Sequence, residues 1–92
     1  MTPWYVYMVE CSDNTLYIGT TNDVKKRTEL HNNGRGAKYT RGRTPVIIRF
    51  TLKCKNRSEA CQYEYQFKGY SKVKKLKLIH QFSQKKAAEN TG

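Results

Sequence analysis

Three groups of residues have the types and spacing to do chemistry. The first is a single carboxylate. Ala60, Tyr63 and Phe67 recur at i, i+3 and i+7, a core-facing helical stripe, and Glu64 lies on it at i+4 from Ala60. Burying an isolated carboxylate there would cost on the order of several kcal/mol of lost hydration. It therefore requires a cation, a basic side chain, a cleft, or a place at the solvent edge of the stripe. The second group is Asp23, Arg27 and His31, spaced i, i+4 and i+8 and so sharing one helix face. Arg27 could grip phosphate oxygens bidentately, and an imidazole one turn later could relay a proton near neutral pH; the bland alternative is a solvated face with an Asp–Arg pair. The third group is aromatic: Tyr5, Tyr7 and Tyr17 on a hairpin, and Tyr39 in a basic loop. Strand tyrosines ordinarily serve packing. A two-residue turn at Asp13–Asn14 would send Tyr7 and Tyr17 to opposite faces, whereas an odd-length loop or a bulge would unite them.

The elements that must position these groups follow from local pattern. Trp4 to Val9 is dense in strand formers, Ser12 to Thr15 is a turn cluster, and Leu16 to Gly19 returns as a second strand. Thr21 or Asn22 is the expected cap of a first helix from about Asp23 to Asn32, closed by Asn33-Gly34. Val24 and Leu30 are left to supply its core contacts. A glycine-rich basic loop holding Arg35, Lys38, Arg41 and Arg43 leads to a third strand, Val46 to Leu52. Asn56 with Glu59 opens a second helix running to about Lys68. Gly69 breaks that helix, and Ser71 caps a third that fades near Phe82. The order β-β-α-β-α-α gives an α+β fold, a small three-stranded and mostly antiparallel sheet flanked by helices. One domain is expected over residues 1–82, and a mobile tail without apolar pattern over 83–92.

Lys and Arg total 18 against 7 Asp and Glu, a formal charge of +11. On a chain of 92 residues this field recruits polyanions, nucleic acid foremost, because each neutralised phosphate releases a counterion. Cys11, Cys54 and Cys61 are an odd, widely spaced set that suits neither a disulfide framework nor a zinc site. Cys11 and Cys54 are expected on strands and Cys61 on a helix. Three reduced thiols, with no signal peptide and no membrane-length apolar run, point to a soluble cytoplasmic protein.

The ordered residues resemble a known pattern. Tyr5-Val6-Tyr7, nine intervening residues, then Tyr17-Ile18-Gly19 is similar to the paired motifs of the GIY-YIG endonucleases. Tyr5 and Val6 stand where that family has glycine and isoleucine, while Tyr7 and the whole second motif are kept. Arg27 follows Tyr17 by ten residues, His31 follows one turn later, and Glu64 matches the family's glutamate on a later helix. The likeness runs from Trp4 to Phe82 and includes a segment, His31-Asn32 through Gly36 to Gly42, that recurs in small single-domain bacterial members. Some family enzymes carry a further late asparagine, and here only Asn90 is available.

The resemblance implies a metal-dependent nuclease with Tyr7, Tyr17, Arg27, His31 and Glu64 as catalytic residues. It implies one Mg²⁺ or Mn²⁺ at Glu64, a tyrosine that helps activate water, and Arg27 opposite the charge of the transition state. Lys26, Arg35, Lys38, Tyr39, Arg41 and Arg43 are the expected nucleic-acid contacts. DNA is the expected substrate and repair or processing the setting. A monomer is expected, with specificity coming from the domain itself or from a protein partner. The alternative is a basic nucleic-acid-binding module of the same fold with little turnover. An interaction factor would leave the Tyr-Arg-His-Glu set unexplained. If charge drives recognition, DNA affinity should fall linearly on a log–log plot against salt, by at least about tenfold between about 50 and 200 mM. Salt-independent binding in a fluorescence-anisotropy titration would remove the nucleic-acid premise.

Overall fold

The computed structural model describes residues 3–91, with side-chain surroundings through residue 87. Strand β1 (Trp4–Glu10) lies at the centre of the sheet, between β2 (Leu16–Thr21) and β3 (Ile47–Cys54), and both pairings are antiparallel. Helix α1 (Val24–Asn32) follows β2, a single 3₁₀ turn (Lys38–Thr40) lies in the basic loop, and α2 (Arg57–Lys68) and α3 (Lys72–Thr91) follow β3. The expected α+β order is therefore present. No helix among the described residues is long and apolar enough to cross a membrane.

The hairpin resolves the register. Five residues, 11–15, join β1 to β2, and Val9 pairs with Tyr17 while Tyr7 pairs with Gly19. Directly paired residues share a face, so Tyr7, Val9, Tyr17 and Gly19 all project to one side. The loop closes on Asn14 at φ 68, and on Asp13, whose carboxylate accepts from the Thr15 backbone N–H (3.2 Å) and hydroxyl (2.6 Å). Asx residues suit such turns because the side chain stands in for a backbone acceptor.

A bulge divides β3. Met8 pairs with Phe50, but Val9 pairs with Ile48, so Arg49 is the extra residue. Alternation would otherwise put Ile48 and Phe50 on the same side; the bulge sends them to opposite faces. Phe50 joins Val6, Met8, Ile18, Cys54, Ala60 and Phe67 in the main core, where α2 lies over β1 and β2 and α3 over β3. Ile48 joins Tyr7, Val9, Cys11, Val46 and Tyr17 on the other face. One side of the sheet is thus a hydrocarbon core and the other an aromatic, hydroxyl-bearing floor.

Several local expectations are corrected. Asp23, rather than Thr21 or Asn22, caps α1, because its carboxylate reaches the Lys26 N–H at 3.0 Å; Thr21 is spent as the last residue of β2, accepting from the Asp23 N–H. Val24 and Leu30 are only half-buried, and the one buried residue of α1 is His31. Cys11 is buried just beyond the end of β1, Cys54 is buried at the end of β3, and Cys61 is exposed on α2; all three are free thiols. Helix α3 continues to Thr91 instead of fading near Phe82. Residues 83–91 hold Gln, Lys, Ala and Glu, good helix formers, with no Gly or Pro, so propensity extends the helix where the apolar stripe has stopped. The Asn56 and Ser71 caps form as expected: Asn56 accepts from the Glu59 N–H (2.9 Å) and Ser71 from the Lys74 N–H (3.2 Å).

Gly19 is required by Tyr7. A Cβ at residue 19 would lie 2.5 Å from the Tyr7 hydroxyl oxygen and 2.7 Å from Cζ, in a ring that is 1% exposed and held at its tip. Gly19→Ala should cost about 1–3 kcal/mol through overpacking. Gly69→Ala, whose nearest neighbour would be an ordinary 3.4 Å contact, should be neutral within about 1 kcal/mol. Denaturant titration of the two variants checks the pair; equal stability would sink the steric account.

Candidate active site

The site is built on the Tyr7 face of the sheet. Tyr7 crosses Gly19 toward β2, and its hydroxyl lies 2.8 Å from His31 Nε2. His31 comes from the last turn of α1 and is fully buried. Its other ring nitrogen, Nδ1, lies 2.8 Å from Thr40 Oγ1, and Thr40 is itself fully buried in the 3₁₀ turn. Tyr17 meets the His31 ring edge-on at 5.5 Å and the Tyr7 ring at 6.4 Å, and Tyr39 stacks on Tyr17 at 5.8 Å. The Arg43 guanidinium lies 4.5 Å over the Tyr39 ring, donates to the Tyr39 carbonyl (2.9 Å) and pairs with Asp13.

Arg27 stands one turn before His31, half-buried, with its guanidinium beside the Tyr7 phenol. Glu64 is placed on α2, which packs against β1 and β2 from the opposite side. Its charge is still felt at the Tyr7 phenol, which leans over the edge strand β2. Its side chain is 23% exposed and 3.1 Å from Lys68 Nζ, so the stripe carboxylate is satisfied by an i, i+4 ion pair at the solvent edge.

Tyr7, Tyr17, Arg27 and His31 thus converge, and the charge of Glu64 reaches the Tyr7 phenol among them. The family model for the GIY-YIG catalytic domain matches residues 3–77. The chain belongs to the GIY-YIG family. A UPF0213 protein of Halobacterium salinarum is 52% identical over 75 residues, covering 82% of this chain and 97% of the relative. One of Staphylococcus haemolyticus is 44% identical over 81 residues, covering 88% and 99%. Among solved structures, the solution NMR structure of a protein of E. faecalis aligns with a TM-score of 0.61 and 36% identity, over 91% of this chain and 90% of that one. That of a UPF0213 protein of Bacillus halodurans gives 0.55 and 42%, over 85% and 83%. The domain is therefore of a nuclease family, and the match spans nearly the whole length of the Halobacterium salinarum and Staphylococcus haemolyticus relatives.

The electrostatics of this GIY-YIG site oppose one another. Burial raises the Tyr7 phenol above its ordinary pKa; the Arg27 guanidinium opposes this by hydrogen bonding and charge, while Tyr17 and Glu64 add to the rise. The resting phenol therefore keeps its proton at neutral pH. Burial also lowers the His31 imidazole, and the Arg27 charge lowers it further, so the ring is neutral. Lys26, Arg35, Lys38 and Arg41 are exposed, as a phosphate-contacting surface requires, and Tyr39 is 43% exposed. Arg43, by contrast, is tied to Asp13 and Tyr39 and acts first as a clamp on the loop. Asn90's side chain lies outside the described surroundings.

Residue patterns alone did not single out Thr40, Asn32 or the need for Gly36. Asn32 pairs with the Val46 backbone from both ends, accepting from its N–H (2.7 Å) and donating to its carbonyl (3.3 Å), which locks α1 to the start of β3. A Cβ at residue 36 would lie 2.2 Å from His31 Nδ1, so only glycine lets the loop backbone pass over the ring. The signal available for these residues was the recurring segment from His31 to Gly42, which marks the loop without saying what each member touches.

The buried neutral histidine makes a sign-definite prediction. The folded pKa of His31 lies below its ordinary value of 6.5, so below that pH the unfolded chain binds a proton that the folded chain refuses. Stability from this residue should be complete above about pH 6.5 and decline as pH falls through that value toward the folded pKa. Melting temperatures between about pH 7.5 and 5.5 should show the decline, and His31→Gln should flatten it. An unchanged slope in the variant would contradict the assignment.

Proposed function

We propose that this protein is a divalent-metal-dependent phosphodiesterase that hydrolyses the nucleic-acid backbone endonucleolytically, with DNA as substrate in a processing or repair role. The observation that carries the reading is the convergence of a phenol, an imidazole and a guanidinium on one face, with Glu64 acting on the same phenol across the sheet edge. Phosphodiester hydrolysis requires a proton acceptor for the attacking water, positive charge opposite the phosphorane oxygens, and a cation beside the leaving group.

The donor set suits one Mg²⁺ or Mn²⁺. Among the described residues no cluster of three or more His, Cys, Asp or Glu is poised to cage a metal. Mg²⁺ does not demand one, because it keeps several waters and binds through one or two carboxylates plus substrate phosphate. Glu64, partly exposed on a strongly basic chain, is the carboxylate that would hold it. When bound, such an ion supplies charge stabilisation at the scissile phosphate and the leaving oxygen. Arg27 would bind the phosphate oxygens and stabilise the added negative charge of the transition state. Tyr7 would orient the attacking water and take part in its deprotonation, and Tyr17 would wall the site, held edge-on by His31 and backed by Tyr39. Lys26, Arg35, Lys38 and Arg41 would track the backbone on either side of the cut.

The Lys68–Glu64 pair favours a second reading, a binding module with little turnover, since a carboxylate already paired is less available to a cation. Glu64→Gln separates the two. As a nuclease the variant should lose metal-dependent cleavage by on the order of 10²–10³-fold while binding DNA as well as wild type or better. A wild type inert with Mg²⁺ and Mn²⁺ on single-stranded, duplex and branched DNA would establish the binding module instead.

A further inference from the structure

Thr40 and Ala37 complete a chain of short hydrogen bonds behind the phenol. Tyr7 Oη to His31 Nε2, His31 Nδ1 to Thr40 Oγ1, and Thr40 Oγ1 to the Ala37 carbonyl each measure 2.8 Å. The Ala37 N–H also points at Nδ1 as a donor, at a longer 3.3 Å. A neutral imidazole has one N–H and one in-plane lone pair, and a threonine hydroxyl has one proton. If Nδ1 were the acceptor, its single lone pair would face two donors, and Thr40 would have to release the Ala37 carbonyl. If Nδ1 carries the proton, each of the three 2.8 Å contacts has one donor and one acceptor, Tyr7 O–H to Nε2, Nδ1–H to Thr40 Oγ1, and Thr40 O–H to the Ala37 carbonyl, and only the longer Ala37 N–H contact is given up. Both ring nitrogens and the hydroxyl are then satisfied, although His31 and Thr40 are fully buried.

We propose that Thr40 is a positioning residue that fixes the His31 tautomer with its proton on Nδ1, so that bare Nε2 receives the Tyr7 phenol proton during hydrolysis. This deepens the nuclease reading, and its kinetic arm rests on it. Tyr7 is not ionised beforehand, so it acts as a relay. The water O–H bond breaks, its proton goes to Tyr7 Oη and its electron pair forms the bond to phosphorus. The Tyr7 proton passes to His31 Nε2, giving an imidazolium whose Nδ1–H is held by Thr40. The P–O bond to the leaving nucleoside breaks, and the leaving oxygen takes a proton from solvent; return of the His31 proton through Tyr7 to solvent resets the site. The groups that face the pair are Tyr17 from β2, Arg27 from α1 and, through Tyr7, Glu64 from α2. Arg27 disfavours an imidazolium in the empty site, and a phosphate held by its guanidinium would cancel that charge when substrate is bound.

The test uses the whole protein with Thr40→Val, which removes the hydroxyl, and Thr40→Ser, which keeps it. Long-range ¹H–¹⁵N correlation of the imidazoles, with His80 as internal reference, should show a protonated Nδ1 and a bare Nε2 on His31 in wild type and Thr40→Ser. Thr40→Val should shift the proton to Nε2 while the amide spectrum stays dispersed; Thr40→Ala is read in the same way should the valine variant unfold. Under single-turnover conditions with Mg²⁺ and a labelled DNA oligonucleotide, Thr40→Val should lower the cleavage rate about 100-fold. KM should stay nearly unchanged, and Thr40→Ser should restore the rate. A wild-type His31 protonated on Nε2, a tautomer indifferent to Thr40→Val, or a serine variant as impaired as the valine one would each overturn the proposal. A wild type that cleaves nothing would overturn the relay together with the nuclease reading, while the nitrogen spectra would still decide whether Thr40 sets the tautomer.

Discussion

The structure turns on a histidine that is buried as a polar group. Helix α1 has nine residues and only one of them is buried, so it has no apolar stripe with which to grip the sheet. It is held instead by His31, whose ring nitrogens bond Tyr7 on one side and Thr40 on the other, and by the two-ended pairing of Asn32 with the Val46 backbone. Polar contacts of this kind are directional and lose their value within a few tenths of an ångström. A helix docked by them is therefore docked in one orientation, and that orientation puts Arg27 beside the Tyr7 phenol. Gly36 and Gly19 follow from the same constraint, one clearing the loop above the imidazole and the other clearing the strand beneath the phenol.

The bulge at Arg49 separates stability from chemistry. By sending Phe50 to the α2 and α3 side and Ile48 to the Tyr7 side, it lets one sheet support two different environments. The hydrocarbon side supplies the burial on which a small domain depends. The other side carries hydroxyls, an imidazole and a guanidinium, groups that are costly to bury unless each has a partner. Among the described residues no buried side-chain nitrogen or oxygen lacks one. The opposing effects on Tyr7 and His31 are a consequence: the same Arg27 that favours a phenolate disfavours an imidazolium, and burial keeps both rings neutral at rest.

Much of the fold was legible because its signals are local. Strand-forming runs, the Asn56 and Ser71 caps and the Gly69 break each act within a few residues; the caps and the break form as read, and the strands form with ends shifted by one or two residues. The misreadings have physical reasons too. Asp23 outcompeted its neighbours as cap because Thr21 was committed to β2. Helix α3 outran its apolar stripe because helix propensity does not need one. Glu64 was recognisable as a carboxylate out of place on a core stripe, with Lys68 one turn on along the same helix, but its reach to Tyr7 required the helix to be placed against the sheet.

The sequence by itself determined the inventory: a basic chain, a β-β-α-β-α-α order, and Tyr7, Tyr17, Arg27, His31 and Glu64 in the order that marks a GIY-YIG domain. These are properties of residue type and spacing, and no packing is needed to see them. Only the tertiary structure decided that Tyr7 and Tyr17 share a face, because that depends on the five-residue loop and the register it sets. Only it revealed Thr40, a residue with nothing unusual in its local pattern, as the partner of His31. The reason is the range of the interactions concerned. Helix and strand preferences act between near neighbours, whereas a hydrogen bond between a strand tyrosine and a helix histidine 24 residues on exists only once the chain has folded back on itself.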